Sequence, residues 1–313
     1  MKINHLTYQQ TFEAVDKGVA VALGFFDGVH VAHQDLIQTT IKEAKKRKLA
    51  SGIVTFYPKP SFVLSPAKEE SYLTPLEIKA QVCEQLGIDY LFVIEFSTQV
   101  ASLSHQQFVE EFLLPLNVKL VVAGDDNRYG KGGQGTVHTI GPDSNHLIEA
   151  IEFHERALDG VRVAASLIRR HLREGQIEPA TQLLGRPYKV SGRVVYGKGR
   201  GKLIGVPTAN IALKYPYLIP LGGVYLVRFT ADGHSNYGVC NIGYNPTFGA
   251  GNERTIEVHV LDFDGDLYDS LVDVEFFSRI RDEMKFASVD DLVAQIHRDI
   301  STAKTRILAL QSN

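Results

Sequence analysis

The pattern of apolar residues changes part-way along this chain, and that change limits the folds it can adopt. Over the first half, short apolar runs alternate with stretches whose apolar residues recur at helical spacing. Strands are expected at residues 19–26, 52–57, 90–96 and 118–122, with helices at 33–48, 76–86 and 104–114. Strands separated by helices predict a parallel sheet with helices on both faces, the Rossmann-like doubly wound arrangement.

From residue 188 the sequence instead predicts strands separated by turn residues. Strands are expected at residues 188–196, 223–229, 237–242, 254–261 and 271–277, and a helix at 289–310. This spacing is typical of a closed antiparallel barrel or a sandwich. We therefore predict an α/β plus β chain with two domains, a Rossmann-like doubly wound domain over residues 1–183 and a β-barrel with a C-terminal helix over 184–313.

The composition excludes several classes of protein. With 44% hydrophobic and 22% charged residues and a net charge of -3, the chain has no positive field that would attract nucleic acid. No apolar run approaches the about 20 residues that a membrane helix needs. The only cysteines, Cys83 and Cys240, form no CxxC pair. We expect a cytoplasmic protein without nucleic-acid or membrane partners, and the sequence leaves its oligomeric state open.

The first chemical motif lies where the first predicted strand meets the first predicted helix. Residues 24–33 read Gly-Phe-Phe-Asp-Gly-Val-His-Val-Ala-His. The amides and dipole of a helix N-terminus favour an anion, and His30 and His33 add donors on the same side. A triphosphate suits this arrangement. Zinc is the alternative ligand, but the motif lacks the intervening Glu of HExxH and no third ligand cluster accompanies it.

The second motif is a glycine-rich basic segment at residues 197–205, followed by the string Pro-Thr-Ala-Asn at 207–210. Four glycines interleaved with Lys198, Arg200 and Lys202 predict a cationic loop that closes over polyphosphate. The segment is not a Walker A loop, because the GxxxxGK spacing followed by Ser or Thr is absent.

These strings together resemble the bacterial bifunctional riboflavin kinase/FMN adenylyltransferase family, whose members are often called FAD synthetases. GxFDGVHxxH at residues 24–33 is similar to the N-terminal domain of that family and to the (H/T)xGH signature of nucleotidyltransferases. PTAN at 207–210 is similar to the signature of riboflavin kinases. Further matches, including TFYP at 55–58, NIG at 241–243 and RDEMKF at 281–286, follow the family's order through both halves.

The resemblance implies an enzyme that uses ATP and Mg2+ to phosphorylate riboflavin to FMN in the second domain. It also implies adenylylation of FMN to FAD in the first domain, so that riboflavin, FMN, FAD and ATP are the expected partners. Two alternatives remain open. One is a monofunctional riboflavin kinase with a degenerate first domain, and the other is a non-catalytic flavin-binding regulatory protein.

The resemblance also assigns roles to individual residues. It implies catalytic roles for His30, His33 and Glu257, Mg2+ ligands at Thr208 and Asn210, and flavin contacts at Asp126, Arg281 and Glu283. The nucleotide-binding residues that it implies are Gly24, Phe26, Asp27, Gly28, Arg162, Ser166, Arg169, Gly197, Lys198, Gly201, Lys202, Gly205 and Pro207.

Glu257 is the expected general base of the kinase. Period two along its strand places Ile256 and Val258 on one face and Glu257 on the other, so the carboxylate points away from the apolar side. Taken alone, a glutamate on a strand is usually a solvated surface residue. The family pattern instead places it opposite the phosphate loop, where it can accept the proton of the riboflavin 5'-hydroxyl.

Two departures from the family pattern concern the first domain. Ala32 stands where the family has Gly, and a Cβ there can intrude on a bound phosphate. Ala164 and Ala165 stand where the family has the first two hydroxyls of a Ser-Ser-Thr string, of which Ser166 keeps the third. Because those hydroxyls contact nucleotide phosphates in the family, their loss keeps the monofunctional alternative open.

Overall fold

The computed structural model describes residues 1–65, 71–154, 157–158, 160–197, 199, 201, 204–244 and 254–311. The chain forms two compact units, Met1–Ala164 and Ala165–Asn313. The two helices that follow Ala164 therefore lie in the second unit.

The first unit alternates strands and helices. Its strands are β1 (Lys2–Leu6), β2 (Val19–Leu23), β3 (Ala50–Tyr57), β4 (Tyr90–Glu95), β5 (Val118–Gly124), β6 (Glu149–Phe153), β7 (Ala157–Leu158) and β8 (Val161–Arg162). Its helices are α1 (Val31–Arg47), α2 (Pro60–Leu64), α3 (Leu76–Gln85), α4 (Thr98–Ser102), α5 (His105–Phe108) and α6 (Ile140–Asp143). A π-helical turn, Val109–Leu113, continues α5.

The first six strands form one parallel sheet in the order β1-β4-β3-β2-β5-β6. Alternate residues of β2 are buried on opposite faces of the sheet. Val19 and Val21 belong to the apolar core on one face, and Ala20 and Ala22 belong to the core on the other. Both faces are thus covered, as a doubly wound sheet requires. The predicted Rossmann-like class is confirmed.

The strand order places a topological switch point between β2 and β5. After β2 the chain builds outward through β3 and β4, and it then returns to place β5 on the other side of β2. Doubly wound sheets bind ligands in the crevice at the carboxyl ends of the strands at such a point. The loops that follow β2 at Gly24 and β5 after Gly124 flank it, so the first predicted motif lies where this fold binds ligands.

The second unit begins with two helices, α7 (Ala165–Arg173) and α8 (Ile177–Leu184), and continues as a closed antiparallel barrel. Its strands are β9 (Tyr188–Val195), β10 (Ala209–Leu213), β11 (Gly223–Ala231), β12 (His234–Tyr244), β13 (Arg254–Val260) and β14 (Leu271–Arg281), joined in the order β10-β13-β12-β11-β14-β9. The predicted barrel is confirmed.

The barrel buries side chains inside and covers part of its outer wall with the last helix, α9 (Val289–Gln311). Tyr188, Tyr225 and Phe276 are fully buried and pack ring against ring. On the outside, Val224 and Leu226 form a cluster with Ala303 of α9 and with partly buried residues of the same helix. The predicted C-terminal helix therefore closes one side of the barrel.

Candidate functional site

The loop between β2 and α1, residues 24–30, has an unusual backbone. Phe26, Gly28 and Val29 all have positive φ, at 55°, 85° and 42°. Left-handed backbone is uncommon for non-glycine residues, above all for a β-branched one such as Val29. Strained backbone of this kind clusters at ligand sites, where the surrounding packing holds it in place. Phe26 and Val29 are both buried, so packing fixes the loop here.

The two histidines of the motif are stacked at the start of α1. Their ring centroids lie 3.5 Å apart, and His30 Nδ1 accepts a hydrogen bond from the His33 backbone N–H at 3.3 Å. The edge of Phe26 packs against His33. Burial lowers the pKa of His33 well below its usual value, and the charges of His30 and Lys79 lower it further. His33 is therefore neutral near neutral pH and offers hydrogen bonds rather than charge.

Asp27 holds the loop to its neighbour in the fold. Its carboxylate accepts hydrogen bonds from the backbone N–H groups of Leu73 at 3.0 Å and Thr74 at 3.3 Å. The residue is buried. In the structure, this predicted nucleotide-binding residue binds backbone N–H groups of the protein, and it thereby anchors the β2–α1 loop to the segment before α3.

Lys79 lies beneath the same loop, and sequence reasoning missed it. Its Nζ donates to the Phe25 carbonyl oxygen at 2.5 Å and to Thr55 Oγ1 at 3.1 Å, and the side chain is 2% exposed. Burial lowers the pKa of Lys79 to about 8, against the opposing effects of Asp27 and Cys83. One signal was available: Lys79 precedes the buried Cys83 by one helical turn, which puts the lysine on the inner face of α3.

Two of the predicted site residues, Asp126 after β5 and Arg162 in β8, contact each other. Arg162 Nη2 lies 2.7 Å from Asp126 Oδ2 and 3.6 Å from Asp125 Oδ1, and all three side chains are exposed. The resemblance implied a flavin contact for Asp126 and a nucleotide contact for Arg162, and the structure joins them in one ion pair. Ser166 and Arg169 belong to α7 of the second unit, where Ser166 is exposed and Arg169 half-buried.

In the barrel, Glu257 lies between two asparagines. On β13 it is the cross-strand partner of Asn210 on β10 and of Asn241 on β12. Cross-strand partners project their side chains from the same face, with Cβ atoms about 4.5–5.5 Å apart. Ile256 and Val258 are buried, so Glu257 is on the outer face of the barrel. The predicted base and a predicted metal ligand are therefore brought together, and Asn241 is an additional polar neighbour that sequence reasoning missed.

The described part of the glycine loop, residues 197, 199, 201 and 204–205, lies against the predicted metal ligands. A Cβ on Gly197 would come within 2.1 Å of Asn210 Nδ2, and one on Gly201 would come within 3.3 Å of Thr208 Oγ1. The loop backbone thus passes directly over both side chains. Lys198 and Lys202, also predicted to bind nucleotide, lie outside the described residues.

The end of the glycine loop is tied to the barrel. Gly201 O accepts hydrogen bonds from Ile204 N and Val206 N at 3.2 and 2.9 Å, and Gly205 has a φ of 76°. His259, two residues after Glu257 on the same face, has its Nδ1 2.8 Å from the Pro207 carbonyl oxygen. This bond holds Pro207 beside the face that carries Glu257.

The predicted flavin residues at the end of β14 have well-defined partners. The Arg281 guanidinium contacts Asp299 of α9 through Nε and Nη2 at 2.9–3.0 Å, and Asp299 is 3% exposed. Gln295 also donates to Asp299, at 2.8 Å. Glu283 is exposed, and its carboxylate lies close to the backbone of Gly222 and Gly243. Arg281 therefore connects the helix to the barrel next to Glu283.

The first unit has a phosphate-type loop at the switch point of a doubly wound sheet. The second has a barrel with a glycine loop over Thr208 and Asn210. Together these features define the class of nucleotide-dependent transferases. Comparison with known proteins agrees in both halves. The sequence model of the FAD synthetase family matches residues 12–167, and that of the riboflavin kinase family matches residues 184–307.

Relatives with curated names match along almost the whole chain. The bifunctional riboflavin kinase/FMN adenylyltransferase of Listeria monocytogenes is 40% identical over 290 residues, which cover 92% of each protein. The enzyme of the same name from Bacillus subtilis is 39% identical over 303 residues and 96% of each protein. This chain belongs to the bifunctional riboflavin kinase/FMN adenylyltransferase family, as the sequence motifs predicted.

A solved structure from Streptococcus pneumoniae shares the whole fold. It is described as a macrolide-efflux protein and superimposes with a TM-score of 0.89 at 31% identity, covering 97% of this chain and 99% of the other. Among the residues described here, no helix has both the length and the apolar character that crossing a membrane requires.

Proposed function

We propose that this chain phosphorylates riboflavin with ATP to give FMN in its barrel and adenylylates FMN to FAD in its parallel-sheet domain. We assign the adenylyltransferase to residues 1–183 and the kinase to residues 184–313. The observation that carries the proposal is the cross-strand pairing of Glu257 with Asn210 under the glycine loop. Both cysteines are buried free thiols, which is consistent with a reducing compartment, and we assign the enzyme to the cytoplasm.

In the kinase reaction, Glu257 is the proposed general base. Its carboxylate accepts the proton of the riboflavin 5'-hydroxyl as that oxygen forms a bond to the γ-phosphorus of ATP. The bond between the γ-phosphorus and the β,γ-bridging oxygen breaks, and ADP leaves. The glycine loop is suited to the nucleotide phosphates, because a backbone without Cβ atoms can approach them closely.

The donor set beside Glu257 fits Mg2+. Thr208 offers a hydroxyl oxygen and Asn210 an amide oxygen, and hard cations prefer such oxygen ligands. Among the described residues no group of three or more His, Cys, Asp or Glu side chains could hold a metal by itself. Mg2+ characteristically keeps several waters and is bound through few protein groups together with substrate phosphates. Bound with ATP at Thr208 and Asn210, it would neutralise charge on the phosphate oxygens.

In the adenylyl transfer, the β2–α1 loop is the proposed phosphate site. A phosphate oxygen of FMN attacks the α-phosphorus of ATP, a new phosphorus–oxygen bond forms, and pyrophosphate leaves. The N-terminal amides of α1 and the imidazoles of His30 and His33 would stabilise the charge that moves onto the leaving oxygens. Since His33 is neutral, it would act as a hydrogen-bond donor.

One observation favours a second candidate, the kinase alone. Ala164 and Ala165 replace hydroxyl residues of the family pattern, and α7 begins at Ala165 with Ser166 as the remaining hydroxyl. Each lost hydrogen bond to a charged phosphate removes about 1.5–3 kcal/mol. If those bonds form only in the transition state, adenylyl transfer becomes slow while the kinase is unaffected.

Purified protein incubated with riboflavin, ATP and Mg2+ tests both activities when the flavins are separated by chromatography. We expect FMN to accumulate first and FAD to follow. FMN without FAD would remove the adenylyltransferase and leave the monofunctional kinase. Tight flavin binding without any product would identify the non-catalytic binding protein instead.

A further inference from the structure

Lys79 has an environment that packing alone does not explain. The residue is 2% exposed, and the hydrogen-bond partners of its ammonium group are a carbonyl oxygen and a hydroxyl. Within the described part of the chain, no carboxylate lies within ion-pair distance of Lys79 Nζ. Lysines are almost never fully buried unless they are paired, because removing the charge from water is costly.

The Phe25 carbonyl does not depend on the lysine for a hydrogen-bond partner. Thr55 Oγ1 donates to the same oxygen at 2.9 Å. A neutral side chain of similar length could therefore fill the space under the loop and leave the carbonyl satisfied. The positive charge is the feature that needs a reason, and buried charges beside a ligand cleft characteristically have a functional one.

We propose that Lys79 is a positioning residue of the adenylyl-transfer site: its buried ammonium holds the Phe25 carbonyl and supplies fixed positive charge beneath the loop that receives the nucleotide phosphates. This inference rests on the adenylyltransferase proposed above. Lys79 is covered by the loop, so it acts through Phe25 and through its electric field rather than by touching the reacting atoms.

The electrostatics of the loop support this role. Phosphate transfer requires positive charge close to the phosphates, and His33 is held neutral by burial. The N-terminus of α1 contributes only the partial charge of a helix dipole. A full charge in a poorly solvated position has a stronger and longer-ranged effect than one in water. Lys79 brings a full positive charge to this backbone, because its Nζ donates to the Phe25 carbonyl oxygen and lies 4.4 Å from the centroid of the Phe25 ring.

The protonation of Lys79 should make FAD formation depend on pH. The titratable groups that act on Lys79 are Asp27 from the β2–α1 loop and Cys83 from its own helix, and Lys79 in turn lowers the pKa of His33 from α1. With a pKa of about 8, Lys79 is charged below that pH and loses its proton above it. Since kcat/KM reports the free enzyme, kcat/KM for ATP in FAD formation should fall as the pH rises through about 8.

The test is the pH profile of kcat/KM for ATP, measured with FMN as the acceptor, for the wild type and three variants. Lys79→Arg keeps the charge at every pH, and we expect its profile to lack the alkaline fall. Lys79→Gln removes the charge, and we expect activity about 10- to 100-fold lower near neutral pH. Thr55→Val removes one of the two acceptors of the ammonium but keeps the lysine, so the alkaline fall should persist and move to lower pH.

An alkaline fall that is the same in the wild type and in Lys79→Arg would overturn the inference, as would wild-type rates in Lys79→Gln. The comparison of the pH profiles of the wild type and Lys79→Arg tests the inference even if Lys79→Gln fails to fold. If the wild type forms no FAD, the proposed adenylyltransferase fails separately. In that case, calorimetry of ATP binding near pH 8, in buffers of different ionisation enthalpy, tests the role of Lys79 without turnover. Bound phosphate should favour the charged lysine, so proton uptake on binding should be larger in the wild type than in Lys79→Arg. Equal proton uptake in the two proteins would contradict the inference.

Discussion

Glu257 and Asn210 are direct cross-strand partners on β13 and β10, so a carboxylate and a carboxamide project side by side from the outer wall of the barrel. Asn241 continues the row on β12. The backbone of Gly197 lies against the Asn210 amide. This relationship places the proposed base of the kinase next to a proposed Mg2+ ligand, under a loop that fits polyphosphate.

The close approach of Gly197 to Asn210 can be tested by adding a methyl group. In Gly197→Ala the new Cβ would sit 2.1 Å from Asn210 Nδ2 and must displace that amide. We expect the KM for ATP in FMN formation to rise by about tenfold or more, while the barrel stays folded because the displaced atoms end a side chain.

Gly199→Ala is the matched control for the Gly197 variant. Gly199 has a φ of 66°, and a Cβ there meets none of the described residues within 4 Å, so the substitution strains the backbone without touching Asn210. The strain costs about 1 kcal/mol. Equal effects of the two substitutions on KM would contradict a specific role for the Gly197 contact.

Removing the Asn210 amide should weaken the use of Mg2+. In Asn210→Ala one oxygen ligand is lost, and we expect the Mg2+ concentration for half-maximal FMN formation to rise about tenfold. Asn236→Ala, which removes an asparagine whose amide donates to Leu261 O, is the control from the same barrel. An unchanged Mg2+ requirement in Asn210→Ala would exclude this residue as a ligand.

The buried charge of Lys79 should destabilise the fold that it serves. Its pKa of about 8, against 10.5 for an ordinary lysine, corresponds to about 3 kcal/mol of unfavourable free energy while the group is charged. We expect Lys79→Met to raise the unfolding free energy of the first unit by roughly this amount near neutral pH. Between pH 8 and 10.5 the unfolded wild type binds more protons, so wild-type stability rises with pH and the advantage of Lys79→Met shrinks.

Each unit contains one buried cysteine, so pulse labelling of thiols in urea can follow the two units separately. Labelling of Cys83 reports the first unit and labelling of Cys240 the second. The transition seen at Cys83 should move to higher urea in Lys79→Met, and that seen at Cys240 should not move. A lower stability of Lys79→Met near neutral pH would contradict the electrostatic account.

Restoring the family hydroxyls should increase FAD formation. In the double variant Ala164→Ser and Ala165→Ser, two hydrogen bonds to phosphate become available, each worth about 1.5–3 kcal/mol. We expect the rate of FAD formation from supplied FMN to rise by about tenfold or more. The rate of FMN formation from riboflavin in the same preparation should stay unchanged. An unaltered FAD rate would show that these positions do not limit adenylyl transfer.

The strands that were predicted and those that were missed differ in burial. β2, β3, β4 and β5 are central strands whose apolar runs are visible in the sequence. β1 and β6 lie at the two edges of the sheet, where β1 has a single buried residue and β6 has none, and neither has a continuous apolar run. β10 has five residues and was not predicted as a strand, although the PTAN motif overlaps its first two residues. Edge strands carry little periodic signal because they bury little surface.

The sequence predicted which residues belong to the candidate site but not how they are arranged in space. Period two gave the face of Glu257, but its pairing with Asn210 depends on the register of strands far apart in sequence, which the sequence does not display. Lys79 and Asp299 were missed because charged residues are assigned to the surface by default. Their burial follows from contacts with Phe25 and Arg281 that form only in the folded chain.

The most direct test of the kinase site is the rate of FMN formation by Glu257→Gln. The amide keeps the size of the side chain but cannot accept the hydroxyl proton, so we expect a rate about 100- to 10,000-fold below wild type. FAD formation from supplied FMN should be unchanged, and Glu178→Gln, on an exposed position of α8, should behave as wild type. FMN formation at the wild-type rate in Glu257→Gln would contradict the proposed mechanism.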